Sequence, residues 1–558
     1  MRTLLFASVI VAFASGCAGI GKPLSTPAGY KGPQGDDEIG EDEKTTDPFA
    51  IEGIVRQEPL PLLKGPPAAF AEVALADPPE GVPPAPASCD DYVKNAVGKT
   101  VCANLPGAKA KLDEALAKDG VERDRALAAM EACEGLPTGL VRSLRAELAP
   151  VECGDALARP FFAGKPKAVP GAVQHALVGQ AIAARLRRSV AAPPKLDPPF
   201  TKDRVLAHHK GALSDWLSVQ ATGIQTLAAQ GAALGGFGKG VVAIEAGNAD
   251  LRLVEAVRGV PVPEEFSKDP ELEAAYYASL DESLEPRKTR GRDGELVGLR
   301  EMANAGVTRD TRTTEARALL SRMYGGRRVD ALDALLLPPL GDAPKATVDQ
   351  RLAAKLPTFY SGLVLAPETI ADPAIARALL ERGYPLHFRA AAREKQKALP
   401  RETATLLARA RIELGIRYWR ALDFDEAATL LTAIPEADRK PEDHIMLALS
   451  VALRRGPDDA VALMKAGGTA PPKFGDVRAL ETVANGSGSL AGLAAFDAAL
   501  LRELAAPQGA PAAYFRDVAG KWRKAARLLQ DDKAKAVAND RADALDQLAQ
   551  NVNAPGND

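Results

Sequence analysis

Long hydrophobic runs are missing from this chain. The apolar stretch from Leu4 to Phe13 falls far short of the roughly 20 residues that a helix needs to cross a bilayer, which excludes a spanning helix there. Histidine is scarce, with five residues in 558 (His175, His208, His209, His387 and His444). Only His208 and His209 are close in sequence, and neighbours on a helix point about 100° apart, which disfavours a shared metal. A bound metal or other cofactor is not expected. Several reaction motifs are absent: no Ser-x-x-Lys, no Gly-x-Ser-x-Gly and no His-Glu-x-x-His, which removes penicillin-binding, α/β-hydrolase and zinc-protease types. Charge of one sign is lacking too. A net charge of -3 gives no global attraction to nucleic acid. Period-2 alternation bounded by turn residues is almost absent, which argues against a β fold.

What the chain has in abundance is Ala, Leu, Arg and Glu in helical rhythm, broken by Gly, Pro and Asp clusters. With 46% hydrophobic and 26% charged residues, it can bury sizeable cores and is expected to be all-α with two or three domains. Residues 17–88 are rich in Pro, Gly and acid (Asp36, Asp37, Glu38, Glu41, Asp42, Glu43; Pro66-Pro67, Pro78-Pro79, Pro83-Pro84) and read as a disordered tether. Pro193-Pro194 with Pro198-Pro199, and Pro338-Pro339 with the Gly341 to Pro344 stretch, then divide helical regions 89–195, 196–340 and 341–558.

Residues 1–16 read as a secretory signal: a basic start, a short apolar core and small residues Ala14-Ser15-Gly16. With Cys17 directly after them, this stretch resembles the lipobox of bacterial lipoproteins. The resemblance implies cleavage before Cys17 and its lipidation. Ala18 in place of the Asp of inner-membrane retention implies an outer-membrane destination, facing the periplasm.

With Cys17 assigned to lipid, four cysteines remain, and an even count in an exported chain argues for two disulfides. Residues 105 to 118 and 122 to 133 read as an antiparallel helical hairpin around Asp119-Gly120, which places Cys102 and Cys133 at one end. Cys153 lies beyond a further helix of about 18 Å at 1.5 Å per residue, too far from Cys133 to bond. The expected pairs are Cys102 with Cys133 and Cys89 with Cys153.

An internal repeat lies in the third region. Leu414, Gly415, Tyr418, Ala427 and Leu431 recur 33 residues on as Leu447, Ala448, Val451, Ala460 and Met464. The pattern resembles the tetratricopeptide repeat, with Arg411 where that family has an aromatic and Pro435 earlier than its closing proline. The resemblance implies stacked helix pairs, an α-solenoid, and a concave groove for a peptide or protein segment. Arg417, Arg420, His444 and Ser450 are the expected groove residues. Residues 316 to 337, with Gly325-Gly326, read as a further hairpin.

Residues 287 to 328 carry eleven Arg or Lys against five acids. Arg287, Lys288, Arg290 and Arg292 head that stretch and are candidates for an anionic ligand, since Arg forks suit phosphate and carboxylate groups. The bland reading is a helix face paired with acids from elsewhere. Glu282-Ser283, with Gly298-Leu299-Arg300-Glu301-Met302, is similar in outline to the active-site stretch of lytic transglycosylases, which implies a peptidoglycan-cleaving enzyme with Glu282 as acid. The Gly-Leu-Met-Gln ending and the apolar cover of that family are missing. Gly235-Gly236-Phe237-Gly238-Lys239-Gly240 is phosphate-loop-like but reads as a break between helices. The leading expectation is therefore a non-enzymatic, lipid-anchored scaffold for an envelope protein. The alternatives are a cell-wall enzyme and a substrate-binding lipoprotein of a transporter, which needs a closed apolar pocket.

Overall fold

The computed structural model describes residues 47–51, 70–102, 104–307, 310–323, 329–339, 347–365, 377, 400–454 and 474–553. Among them every regular element is a helix, and none is long and apolar enough to cross a membrane. Helices of seven residues or more are numbered here along the described residues.

The first layer is the expected hairpin, α1 (Leu105–Ala115) and α2 (Gly120–Ala129), followed by α3 (Leu140–Leu148). Asn104 starts α1 by accepting the Gly107 N–H at 2.8 Å, an N-cap that satisfies one of the helix's free donors. Cys102 and Cys133 pair across the open end, Cα atoms 4.9 Å apart. Cys89 pairs with Cys153, Cα atoms 5.4 Å apart. Both disulfides are those the helix lengths predict. Between α2 and α3 lies a buried ion cluster: Arg145 donates to Asp124 at 2.8 and 2.9 Å, and Arg142 to Glu131 at 2.7 Å.

The second layer is a bundle around α8. Its members are α4 (Gly154–Ala163), α5 (Gly171–Arg188), α6 (Lys202–His208), α7 (Ser214–Ala232), α8 (Gly236–Arg258), α9 (Pro270–Ser283), α10 (Glu285–Asn304) and α11 (Thr311–Met323). Helix α8 is buried on nearly every side and packs against α5, α7 and α10. Two small-residue contacts bring these helices close. A Cβ on Gly238 would stand 2.1 Å from the His175 carbonyl oxygen of α5, and one on Gly247 would stand 2.6 Å from the Gly291 carbonyl oxygen of α10. The second region, with α4 and α5 of the first, is thus a compact bundle, and the division expected at Pro193 to Pro199 is not a structural one. Its glycine-rich stretch is split: Gly235 ends the α7–α8 turn, its N–H donating to His175 Nδ1 at 2.8 Å, and α8 begins at Gly236.

Other expectations need correction too. The tether does not run unbroken to Cys89. Residues 70–86 form an extended strap over α5 and α7, and its carbonyls accept hydrogen bonds from side chains of the bundle. Ala71 O meets His175 Nε2 at 2.7 Å, Val73 O meets Gln174 at 2.7 Å, and Ala76 O meets Arg185 at 2.8 Å. Further along, Gly81 O takes Gln220 at 3.2 Å and Pro83 O takes Arg188 at 2.9 Å. Proline removes backbone donors, yet these bonds use backbone acceptors, which a Pro-rich segment keeps. Upstream, Phe49 and Ile51 are buried against the bundle.

The boundary near residue 340 is also not a structural one. Helices α12 (Val348–Lys355) and α13 (Thr358–Val364) pack on the disulfide-linked hairpin, sharing one apolar core with α1, α3 and residues 406–410. Asp113 of α1 binds Arg351 and Lys355 of α12 at 2.8 and 2.7 Å.

The third layer comprises α14 (Arg401–Tyr418), α15 (Ala421–Thr432), α16 (Pro441–Leu453), α17 (Arg478–Ala484), α18 (Ala491–Leu504), α19 (Ala512–Leu528) and α20 (Asp532–Asn553). Each packs chiefly on the helices before and after it. Only Trp419 and Arg420 separate α14 from α15. Trp419 adopts a left-handed φ of 53°, with its indole buried and donating to Val329 O at 2.9 Å. Of the expected hairpin over 316 to 337, Gly325-Gly326 lie outside the described residues, and where a second helix is expected residues 331–334 make a 3-10 turn before the chain runs extended.

Candidate functional site

Along α14, Arg401, Thr405, Arg409 and Glu413 recur every four residues, one polar stripe on a helix whose other faces are buried. Spacing of four keeps side chains on one face. The stripe looks across to the start of α16, where Asp443, fully buried, gathers three donors: Arg401 Nε at 2.7 Å, Thr405 Oγ1 at 2.6 Å and the Lys440 N–H at 2.9 Å. This carboxylate fixes α14 against α16. Arg401 also pairs with Glu442 at 2.7 Å. Its slight burial disfavours the charged form, but Glu442 and Asp443 outweigh that and hold the guanidinium charged.

Between the two helices and the Pro338-Pro339 lip lies an open cleft of about 230 Å³. Its apolar surface comes from Leu406, Met446 and the two prolines; its cations are Arg377, which pairs with Glu402, Arg401, which pairs with Glu442, Arg409, which pairs with Glu413 at 3.0 Å, and Lys440. Arg409 donates to the Pro338 carbonyl, which holds the lip against α14. The set contains donors, charge and apolar surface but no activated nucleophile. Such a surface can grip an extended peptide: apolar side chains against Leu406 and Met446, and carbonyls or carboxylates on the cations.

The groove residues expected from sequence fall elsewhere. Arg420 is buried and bonds Asp423 at 2.9 Å. Ser450 is buried and donates to Met446 O at 2.8 Å. Arg417 reaches Asp333 at 3.2 Å, and His444 is exposed but does not line the cleft. In the repeat, Leu414, Tyr418, Ala427 and Leu431 are buried, whereas of their counterparts Leu447 and Val451 are half-buried, and Gly415 receives the Phe424 ring, which would lie 2.7 Å from a Cβ there. Arg411, in the aromatic position, makes a buried ion pair with Asp423 at 2.7 Å. Ala460 and Met464 lie outside the described residues, as does Cys17.

The basic stretch is engaged by acids, most of which a local count omits. Arg287 bonds Asp250 at 2.8 Å, with Arg290 3.8 Å from the same carboxylate. Lys288 meets Asp281 at 3.1 Å and Arg292 meets Asp293 at 2.8 Å, while Arg312 bonds Glu147 at 3.0 Å and Arg317 bonds Asp333 at 2.6 Å. The arrangement matches a paired helix face rather than an open anion site. Glu282 is exposed on α9, without the apolar cover that a general acid needs. Among the described residues no cluster of three or more His, Cys, Asp or Glu is grouped as metal ligands are. The His208 and His209 rings stand edge to face, centroids 6.4 Å apart. A second open cleft, about 340 Å³, is lined by Glu131, Glu134 and Arg142 beside Phe161, and so is polar rather than apolar and closed.

Comparison with protein-family models, curated proteins and solved structures finds no match to this chain.

Proposed function

We propose that the protein is a non-enzymatic scaffold anchored by lipid at Cys17 in the bacterial outer membrane, facing the periplasm, whose tetratricopeptide-like C-terminal layers hold a segment of an envelope protein. The observation that carries this reading is the α14–α16 cleft: apolar surface at Leu406 and Met446 ringed by four cations, on helices held in register by Asp443. Secretory and lipobox features at residues 1–17 and two disulfides support an exported chain.

The reading is tested by crosslinking intact cells of the native host and purifying the protein with its adducts. An envelope protein in stoichiometric amount, lost with Arg377→Glu and Lys440→Glu, supports it. Bound glycan or small molecule in place of a protein contradicts it. The anchor is tested separately: Cys17→Ser should move the protein from the membrane to the soluble fraction and abolish labelling by a fatty-acid analogue.

A further inference from the structure

His175 of α5 is buried, 3% exposed, where three parts of the chain meet: α5 itself, the turn between α7 and α8, and the first residues of the strap. Both ring nitrogens are committed. The Gly235 N–H donates to Nδ1 at 2.8 Å, so Nδ1 carries no proton, and a neutral imidazole then holds its proton on Nε2. Nε2 donates to the Ala71 carbonyl at 2.7 Å. The Phe70 ring stands beside the imidazole, centroids 4.8 Å apart. It fills a notch that glycine leaves open: a Cβ on Gly171 would lie 2.5 Å from Phe70 Cβ, and one on Gly235 would lie 2.9 Å from Phe70 Cε1.

A proton added to this ring has one place to go, Nδ1, where it would face the Gly235 N–H. Two donors would then point at each other in a buried site, and a buried donor left unsatisfied is costly. The Phe70 ring, the Ala71 carbonyl and the Gly235 N–H are uncharged and give an imidazolium no counter-charge. Around them, the strap carries Glu72 and Glu80, both exposed, and Asp77, which meets Arg159 at 2.9 Å. On α8, Lys239 pairs with Glu301 of α10 at 3.4 Å, and the next charged residue along α5 is Arg185, which meets Asp155 at 3.4 Å. Of the side chains that hold strap carbonyls, Gln174, His175, Arg185, Arg188 and Gln220, the imidazole alone is of a kind that changes charge near neutral pH. Acid therefore acts on the start of the strap and leaves the later bonds in place.

We propose that His175 is a pH-operated latch, which holds the first residues of the strap, Phe70–Val73, on the bundle at neutral pH and releases them in acid, leaving the notch at Gly171 and Gly235 open. The latch rests neither on the α14–α16 cleft nor on the lipid anchor.

The test follows hydrogen exchange of the Gly235 amide and hydroxyl-radical oxidation of Phe70 in the full-length protein, native and His175→Gln, between about pH 8 and pH 5, the range in which imidazoles ordinarily titrate. In the native protein the Gly235 amide, corrected for intrinsic exchange, should exchange about tenfold or more faster at the acid end, as expected for a lost buried bond, and Phe70 oxidation should rise in step. Gln offers a donor and an acceptor but does not titrate, so in His175→Gln both readings should be independent of pH. Native readings that stay constant while the cooperative melt is retained overturn the proposal, as does an acid response that His175→Gln keeps. Should the variant fail to fold, nitrogen-15 spectra of labelled histidine in the native chain decide. One imidazole should be protonated on Nε2 at neutral pH and gain its Nδ1 proton together with the change at Gly235; a change at Gly235 with no coincident imidazole protonation overturns the latch.

Discussion

Glu295 and Asp497 carry the clearest stress at the scale of single residues. Both are fully buried. Neither Glu295 oxygen has a hydrogen bond, and Asp497 accepts only the Leu336 N–H, at 2.8 Å, on one oxygen. Burial pushes both carboxyls well above the usual range; for Glu295 the neighbouring Glu245 adds to this and Arg187 opposes it, while Leu336 opposes it at Asp497. A raised folded pKa means that the native state holds the proton more tightly than the unfolded one. Stability from these groups is then fullest below the ordinary carboxylate pKa and is lost as pH rises towards the folded value. Glu295→Gln and Asp497→Asn should therefore raise the melting temperature at pH 8, with the gain shrinking towards pH 5. A gain that grows on acidification would contradict this account. Arg145 is the opposite case: it is fully buried, but Asp124 and Glu131 outweigh its burial and keep it charged. Removing one partner of a buried ion pair costs about 3–5 kcal/mol, so Arg145→Met should lower unfolding free energy by that order in denaturant titration.

Among the elements, the strap and its staple depend on each other. Residues 70–86 make no helix or sheet, and their carbonyls are held by Gln174, His175, Arg185, Arg188 and Gln220. The Cys89–Cys153 bond fixes the strap's end to the start of α4. Replacing both cysteines with serine should cost about 2–5 kcal/mol and make the strap the first site of limited proteolysis. Unchanged resistance there would show that the side-chain donors suffice alone. Helix packing gives a second test. The 2.1 Å that a Gly238 Cβ would leave to the His175 carbonyl is too close to be relieved by a rotamer change. Gly238→Ala should destabilise by about 1–3 kcal/mol, as overpacked cores do, whereas Gly520→Ala, with nothing near its Cβ, should not.

These cases also show what was legible in the residues alone. The disulfide pairing was, because two helix lengths and one turn decide which cysteines share an end. The strap was not: Pro-rich composition usually signals disorder, and the donors that hold it lie about a hundred residues away in sequence. Arg420 and Ser450 lie in the core rather than a groove: Asp423, three residues after Arg420, and the Met446 carbonyl, four before Ser450, offer local partners for burial. Arg401, Thr405, Arg409 and Glu413 form a four-residue polar period in the sequence, a signal independent of the 33-residue repeat.

The whole molecule combines a bundle around α8 with a helix-after-helix array. Its cores are not separable at the proline boundaries, since residues 352–365 and 406–410 share an apolar cluster with α1 and α3. The buried Asp47–Ile51 segment also shortens the path from the proposed anchor. At about 3.3 Å per residue, chain from Cys17 can span at most about 100 Å to Asp47, against about 240 Å to Cys89, so with that anchor the body would lie nearer the bilayer than with an uninterrupted tether. The central claim is that the α14–α16 cleft holds a protein segment. The most direct measurement places a photo-crosslinking amino acid at Glu402, exposed in the cleft, and another at His444 outside it, in living cells of the native host. The account predicts one discrete adduct with an envelope protein from position 402, none from 444, and loss of the adduct with Arg377→Glu and Lys440→Glu. No adduct at 402, or one that ignores the charge reversal, would contradict it.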